Sequence, residues 1–523
     1  MLKLHEFASE FHGGGRISTA AQILLDYTTV KFAVSSNALR RVGPFRRLKE
    51  RVNKVDGETN DLFSGKTDPL TGFFLMYAGP ADKDGKPGEW FLDVWSEEGL
   101  IVGLAQYRPP AAAYVLALTR HEPAQHRFYH GQRPTVRGGE PAGGGVEIYY
   151  SSPSFLLTAG GMFLNSGYGS DELTSYQQTG AVQATTLLPT GGNLKFEDLI
   201  RFDIYPGERL ANNTGVHLGF ACGANLRIPD RWKECSQQLD NCPWTFINLN
   251  IPCGGLGPLG FYVVAYRTSP SLISWGDGVV KAQPDNVGFI HAIEASQMSF
   301  DDFKTKTREA NFNMPKVDYD GEYVFNAADG HSYTFRVRPF GFSYQARVVS
   351  MDGKPLEEDL STLPLAEGPY LSSPGHEGYF QIRHPGCTAP LVLDFRNTLA
   401  PIRIDNAYAC PQWLLDLAGA FTTLSEGEWA AGDQAAAIAN SEDAFTIYRQ
   451  LTQNDLETYG PKFVYQLDLR SGHQRVVPAL LAGARADAEE AVRICQQLVQ
   501  INQAQYQPLL AGALATLDLV PPA

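Results

Sequence analysis

The chain has 523 residues, an ordinary apolar content of 43% and a formal charge of −14, which is enough material for two or three independent cores. The acidic balance excludes general binding to nucleic-acid phosphates, which needs net basic surface. No apolar run approaches the roughly 20 residues that span a bilayer, so no membrane partner is expected.

Residues 1–60 read as a helical segment. Ser18 stands where it can cap TAAQILLDYTTVKFAV, whose apolar residues recur at three- and four-residue steps, and Gly43-Pro44 must break or kink whatever follows. The first residues lack a charged region followed by an apolar one, so no signal peptide is expected, and the compartment stays open. Between Lys31 and Lys54 the residues Lys31, Arg40, Arg41, Arg46, Arg47, Lys49, Arg51 and Lys54 face one acid, Glu50, against the charge of the whole. Guanidinium forks suit carboxylate and sulfate groups, and Phe45 offers a stacking face. Arg40, Arg41, Arg46 and Arg47 are therefore candidates for holding an acidic ligand. A hinge whose arginines pair with acids of the next domain explains the same run more plainly.

Residues 61–405 read as a large antiparallel β-sandwich region. GFFLMYAG, EWFLDVWS, LIVGLAQY, YVLALT, VEIYY, SFLLTAGG, TFINLNI, GFYVVAYR, VGFIHAIEA, GEYVFNAA, YTFRVRP, GYFQIRH and LVLDF are short aromatic and β-branched runs between turn signals. A propeller also fits this spacing; a parallel α/β fold does not, because crossover helices are missing. One amphipathic helix is expected at SFDDFKTKTREANF, with Ser299 as cap and Asp301 and Asp302 in its first turn.

Within this region residues 120–139 read as a basic loop. His126, Tyr129 and His130 are its candidate proton-transfer groups and Arg127 its candidate anion binder; an exposed loop without a role is the plainer reading. In YYSSPSFLLTAGG, Tyr149 and Tyr150 must point to opposite faces of a strand, and no Gly-x-Ser-x-Gly surrounds the serines. Cys222, Cys235, Cys242 and Cys253 suit disulfides that staple a long loop, or buried thiols; their spacing suits zinc least. No motif asks for a cofactor or a metal.

Residues 406–523 read as a helical-repeat tail. AFTIYRQLTQND at 444–455 recurs as AVRICQQLVQIN at 491–502, an offset of 47, and Tyr459 and Pro461 recur as Tyr506 and Pro508. Each copy reads as a helix, a break at Tyr-x-Pro and an alanine-rich helix. This resembles degenerate tetratricopeptide-type repeats, whose hairpins stack on one another.

LLDYTTVKFAVSSNALRRVGPFRR, YYSSPSFLLTAGG, TTLLPTGG, LIRFDIYPG, HLGFACGANLRIPDRW, WTFINL and GFYVVAYR, in that order over residues 15–405, resemble uncharacterised microbial proteins. Those resemble in turn the heparinase- and chondroitinase-type polysaccharide lyases, which join a helical toroid to a β-sandwich region. Here only two or three helices precede the strands, where a toroid needs on the order of ten. The resemblance implies a mainly β fold and an acidic polysaccharide ligand, with β-elimination as the reaction if the protein is an enzyme. In that case Arg46 and Arg47 would neutralise a uronate carboxylate, and Tyr129, His126 or His130 would move the proton. The alternative is a non-catalytic scaffold that grips a protein partner through its helical repeats.

Overall fold

The computed structural model describes residues 14–37, 41, 107–118, 122–129, 133–134, 141–142, 145–163, 183–192, 194, 196–202, 215–238, 243–268, 286–318, 320–340, 343–356, 363–383, 390–397, 399–404 and 411–521. Its helices are α1 (Gly14–Ser35), α2 (Ala111–Leu118), α3 (Phe300–Ala310), α4 (Pro411–Ala431), α5 (Gln434–Asn454), α6 (Leu456–Gln474), α7 (Leu481–Ile501) and α8 (Gln503–Asp518).

Four sheets carry strands numbered in chain order, and every ladder is antiparallel. The first sheet runs Leu226–Arg227 (β10), Ile200–Phe202 (β7), Gln183–Pro189 (β6), Phe155–Phe163 (β5), Gly145–Ser151 (β4), Ala124–Tyr129 (β1) and Ala366–Glu367 (β19). The second runs Ser236–Gln238 (β11), Trp244–Asn248 (β12), Phe261–Thr268 (β13), Val287–Glu294 (β14), Phe220–Ala224 (β9) and Gly215–His217 (β8). The third holds Gly321–Asn326 (β15), Ser332–Phe340 (β16), Ser343–Met351 (β17) and Lys354–Pro355 (β18). The fourth holds Leu371–Ser372 (β20), Tyr379–Ile382 (β21), Leu391–Asp394 (β22) and Ile402–Ile404 (β23). Arg133–Pro134 (β2) and Pro141–Ala142 (β3) pair by themselves.

The second sheet is the middle layer. Every residue of β9 and β14 is buried, as expected of a strand covered on both faces, whose sequence loses its polar alternation. Ile290 and Ala292 share one core with Phe155 and Leu157 of the first sheet. Phe289 and Ile293 share another with Phe325, Tyr333 and Phe335 of the third sheet and with Phe303 of α3. Rings close both seams, Phe155 to Phe261 at 5.1 Å and Phe289 to Phe325 at 4.7 Å. The far side of the first sheet is covered by α1, α2 and the fourth sheet, with Ile23, Phe32, Leu116, Phe380 and Leu393 in the same core.

Helix and strand are both abundant among the described residues, which combine antiparallel sheets with helices. Several local expectations change. Ser18 lies inside α1, which starts at Gly14. YVLAL, residues 114–118, belongs to α2: the alanine run favours helix and Pro109-Pro110 pre-sets its start, with Ala113 N donating to Pro110 O at 2.9 Å. The basic segment 120–139 is not all loop, since residues 124–129 form β1. The Ser299 cap is found as expected, its hydroxyl accepting from Asp302 N at 3.1 Å.

In the tail, the breaks fall at Asp455 and Asn502, whose side chains cap α6 and α8, rather than at Tyr-x-Pro. Pro461 and Pro508 sit inside those helices, near enough to the N-terminus to cost few backbone hydrogen bonds. The offset of the repeat maps α4 onto α6 and α6 onto α8, so the repeat begins one helix earlier than its clearest sequence match. The helices share their own core, including Leu451, Phe463, Leu467 and Leu498, and α4 also reaches the sheet core through Leu417.

Cys235 and Cys253 form a disulfide across a separation of 18 residues, while Cys222 and Cys495 are buried thiols; Cys242 lies outside the described residues. The link ties the turn Asp230–Cys235 to the loop before β13. Replacing both with alanine is expected to lower the unfolding free energy by about 3 kcal/mol, the loop-closure value for this length, measured by urea denaturation. An unchanged midpoint, with the link intact in wild type by peptide mapping, would show that it does not staple the fold.

Candidate functional site

Strand β1 alternates buried and half-exposed residues along its whole length, and this alternation separates the candidate residues. His126 and Phe128 face α1; Gln125, Arg127 and Tyr129 face the margin of the second sheet. Register extends both sets onto β4: His126 opposes Tyr149 and Phe128 opposes Glu147, whereas Gln125 opposes Tyr150.

The α1 side holds a buried ionic network. Glu147, 1% exposed, accepts a hydrogen bond from Tyr149 Oη at 2.9 Å and lies 3.0 Å from Lys31 Nζ. Arg41, 2% exposed, donates to Tyr149 Oη at 3.2 Å, and its guanidinium is 3.9 Å from Glu147. Burial pushes the Tyr149 phenol well up, so it stays protonated and can donate to Glu147. Lys31 also lies over the Phe128 ring at 4.9 Å. His126 is packed under residues 366–370: its Nε2 accepts from Tyr370 N at 3.3 Å, and any Cβ at Gly368 would collide with its ring. Arg41 and His126 thus share one face, buried from solvent.

The opposite face reaches solvent at its margin. Arg127 pairs with Glu367 at 2.6 Å, and that carboxylate is 45% exposed. Tyr129 stacks on His376 at 4.6 Å between ring centroids. Gln125 Oε1 accepts from Leu218 N at 2.7 Å, which holds Leu218 at φ 51, in the left-handed region that side chains avoid. The next residue must be glycine, because a Cβ at Gly219 would strike Ala292 O and touch Tyr150. This turn places His217 beside Gln125, and burial, reinforced by the charge of Arg127, lowers His217 to about 4. Burial beside Glu294 and Asp329 raises Tyr150 to about 12. Glu294 in turn takes hydrogen bonds from Ser154 N at 2.8 Å, from the Ser154 hydroxyl at 2.6 Å and from the Ser152 hydroxyl. The two serines are thereby committed to joining the first sheet to β14.

Of the sequence-derived candidates, Arg127 and Tyr129 come together on the accessible margin, and Arg41 and His126 on the buried face. Arg40, Arg46, Arg47 and His130 lie outside the described residues. Sequence reasoning missed His217, Glu367 and His376, which come to β1 from distant segments and have no motif of their own. It also missed Glu147, although VEIYYSS places it two residues before Tyr149, on the same face of the strand. Among the described residues no group of three or more His, Cys, Asp or Glu is placed to hold a metal, and no helix is long and apolar enough to cross a membrane. No family model, curated protein or solved structure matches the chain.

Chemically, the margin presents a guanidinium held by a half-exposed carboxylate, an aromatic pair, amide and phenol hydrogen-bonding groups, and an imidazole that is neutral at pH 7. Those groups suit an anionic, hydroxyl-rich ligand. The network on the other face suits adhesion of α1.

Two outcomes follow from this geometry. Glu147→Ala leaves Lys31 and Arg41 without their shared carboxylate in a buried site, so a loss of about 3–5 kcal/mol is expected in chemical denaturation; a loss under 1 kcal/mol would show that the network carries no stability. His217 and His291 contribute in the acid range. Burial also lowers His291 to about 4, against the opposing effect of Asp329, whose Oδ2 is 3.7 Å from Nε2. An unfolded histidine titrates near 6.5, so the unfolded chain takes up protons first. Their contribution is complete above about pH 6.5 and is lost as pH falls towards 4. The stability difference between wild type and His217→Gln/His291→Gln should therefore shift against wild type from pH 7 to pH 5, and a pH-independent difference would contradict it.

Proposed function

We propose that the protein binds an acidic polysaccharide along the exposed margin of β1. The gathering of Arg127, Tyr129, Gln125, Tyr150, His217 and His376 on one accessible face supports this reading most strongly. Arg127 takes the ligand's carboxylate or sulfate in exchange for Glu367, whose side chain is half-exposed, so a ligand anion can approach and replace it. Tyr129 and His376 offer a stacking face to a sugar ring. The stacked antiparallel sheets are read as a β-sandwich that presents this margin. If the ligand is processed, the reaction is β-elimination: Arg127 neutralises the uronate carboxylate, which acidifies the adjacent C–H. Tyr129 or the neutral His217 then takes that proton, and a proton returns to the leaving oxygen.

A second reading has its own observation. Leu467 of α6 is fully buried, while Leu514 of α8, its equivalent one repeat later, is exposed. Among the described residues nothing covers the face of α8 that carries Leu514, which favours a scaffold that receives a partner's helix there.

The test is retention of the purified chain on immobilised hyaluronan, chondroitin sulfate, heparan sulfate, alginate and pectate, with neutral dextran as control. The ultraviolet absorbance of unsaturated uronate ends is followed in solution. Retention on at least one acidic polymer is expected, weakened about tenfold, or ~1.4 kcal/mol, by Arg127→Ala and strengthened by Glu367→Gln. Rising absorbance would add elimination to binding. No retention beyond dextran would remove the glycan reading and leave the scaffold as the one to pursue.

A further inference from the structure

The arm formed by helices α4–α8 buries more acid than it can pair. Asp487 of α7 meets Arg470 of α6 at 3.2 Å through Oδ1, but Arg470 also serves Glu442 of α5 at 2.6 Å and lies 3.9 Å over the Phe445 ring. Asp487 Oδ2 is buried with no hydrogen-bond partner among the described residues. The charged groups acting on Asp487 are Arg470 from α6, Glu442 and Arg449 from α5, and Glu490 from α7 itself. Asp468 of α6 lies near Thr516 of α8 and the thiol of Cys495 on α7. Its Oδ1 is likewise buried with no partner among the described residues.

An ionised carboxylate with one buried, unpaired oxygen is costly, and the cost falls when the group takes up a proton. The positions are not interchangeable between repeats. One repeat before Asp487 stands Asn440, a neutral amide that donates to Glu428 of α4 at 2.7 Å. One repeat after Asp468 stands Ala515. The second hairpin therefore carries acids where the neighbouring helices carry neutral residues.

We propose that the α6–α8 end of the arm is a proton-responsive element, tight when Asp468 and Asp487 carry protons and loosened when both ionise. Burial raises each to about 6, the charge of Glu442 adding to this at Asp487 while Arg470 opposes it. A carboxyl raised above its unfolded value contributes stability that is complete below about pH 4 and is lost as pH rises through about 6. The element is thus firm near pH 5 and loose near pH 7, the reverse of the response given by the buried histidines of the sheets.

Hydrogen exchange of the full chain at pH 5 and pH 7, corrected for intrinsic rates, tests this. Amides of α6–α8 should be about tenfold less protected at pH 7 than at pH 5, whereas those of β14 should not lose protection. In Asp468→Asn/Asp487→Asn the difference should vanish, with protection at pH 7 matching that of wild type at pH 5. Equal protection of α6–α8 at both pH values in wild type overturns the proposal, as does a double variant that keeps the wild-type difference. Should the double variant be unprotected at both pH values, Asp487→Asn alone decides, since Asn440 shows that an amide fits that place: a reduced difference supports the proposal and a full one overturns it.

Discussion

A single carboxylate, Glu147, fixes the helical side of the molecule to its sheets. It stands on β4 with Lys31 and Arg41 converging on it, and Tyr149 connects the two contacts. Two cations and one acid taken out of water are stable together only when their geometry satisfies them. That requirement allows one depth and one rotation of α1 over the first sheet. Asp26, fully buried on the same helix, adds a second constraint by accepting from Tyr107 at 3.0 Å and pairing with Arg403 of β23 at 2.6 Å. With α1 held, α2 packs beside it and α4 packs on α2, so the placement of the arm traces back to these buried charges.

The same strand pair decides what a ligand can reach. Because successive side chains alternate, β1 and β4 present His126, Tyr149 and Glu147 to the helices and Gln125, Arg127, Tyr129 and Tyr150 to the other side. Only the second set includes residues at a solvent-facing margin. A one-residue slip in register would exchange the sets, burying Arg127 beside Lys31 and exposing Glu147. The buried network therefore specifies the register that keeps the margin available, and adhesion of α1 is tied to presentation of the site.

Much of the sheet architecture is legible in the sequence because two-sided burial leaves unbroken apolar runs, as in VGFIHAIE and GFYVVAYR. The Ser299 cap is equally plain, since its hydroxyl and the two acids after it act within one turn. Local pattern fails where distant contacts decide. AQHRFY sets three polar residues in a row, Gln125, His126 and Arg127, which hides the alternation of a strand, and it resembles a loop until β4 and β19 pair with it. YVLALT has strand-like composition, but the alanines before it and the preceding prolines favour a helix. The candidate margin was only half legible: Arg127 and Tyr129 stood out by residue type, but Glu367, His376 and His217 reach them through tertiary pairing that no spacing encodes.

Burial drives the titratable groups of the two halves in the same chemical direction, towards the neutral form, and this produces opposite responses to acid. An imidazole kept neutral, as at His217 and His291, resists a proton that the unfolded chain accepts. A carboxyl kept neutral, as at Asp468 and Asp487, holds a proton that the unfolded chain releases. The sheets therefore favour the upper part of the window between pH 4 and 6.5, and the far end of the arm the lower part. No condition in that window is best for both, so the two halves need not loosen together. The sheet margin depends on the network around Glu147, the end of the stack on α6–α8, and the core of α4 joins them without sharing either set of titrating groups.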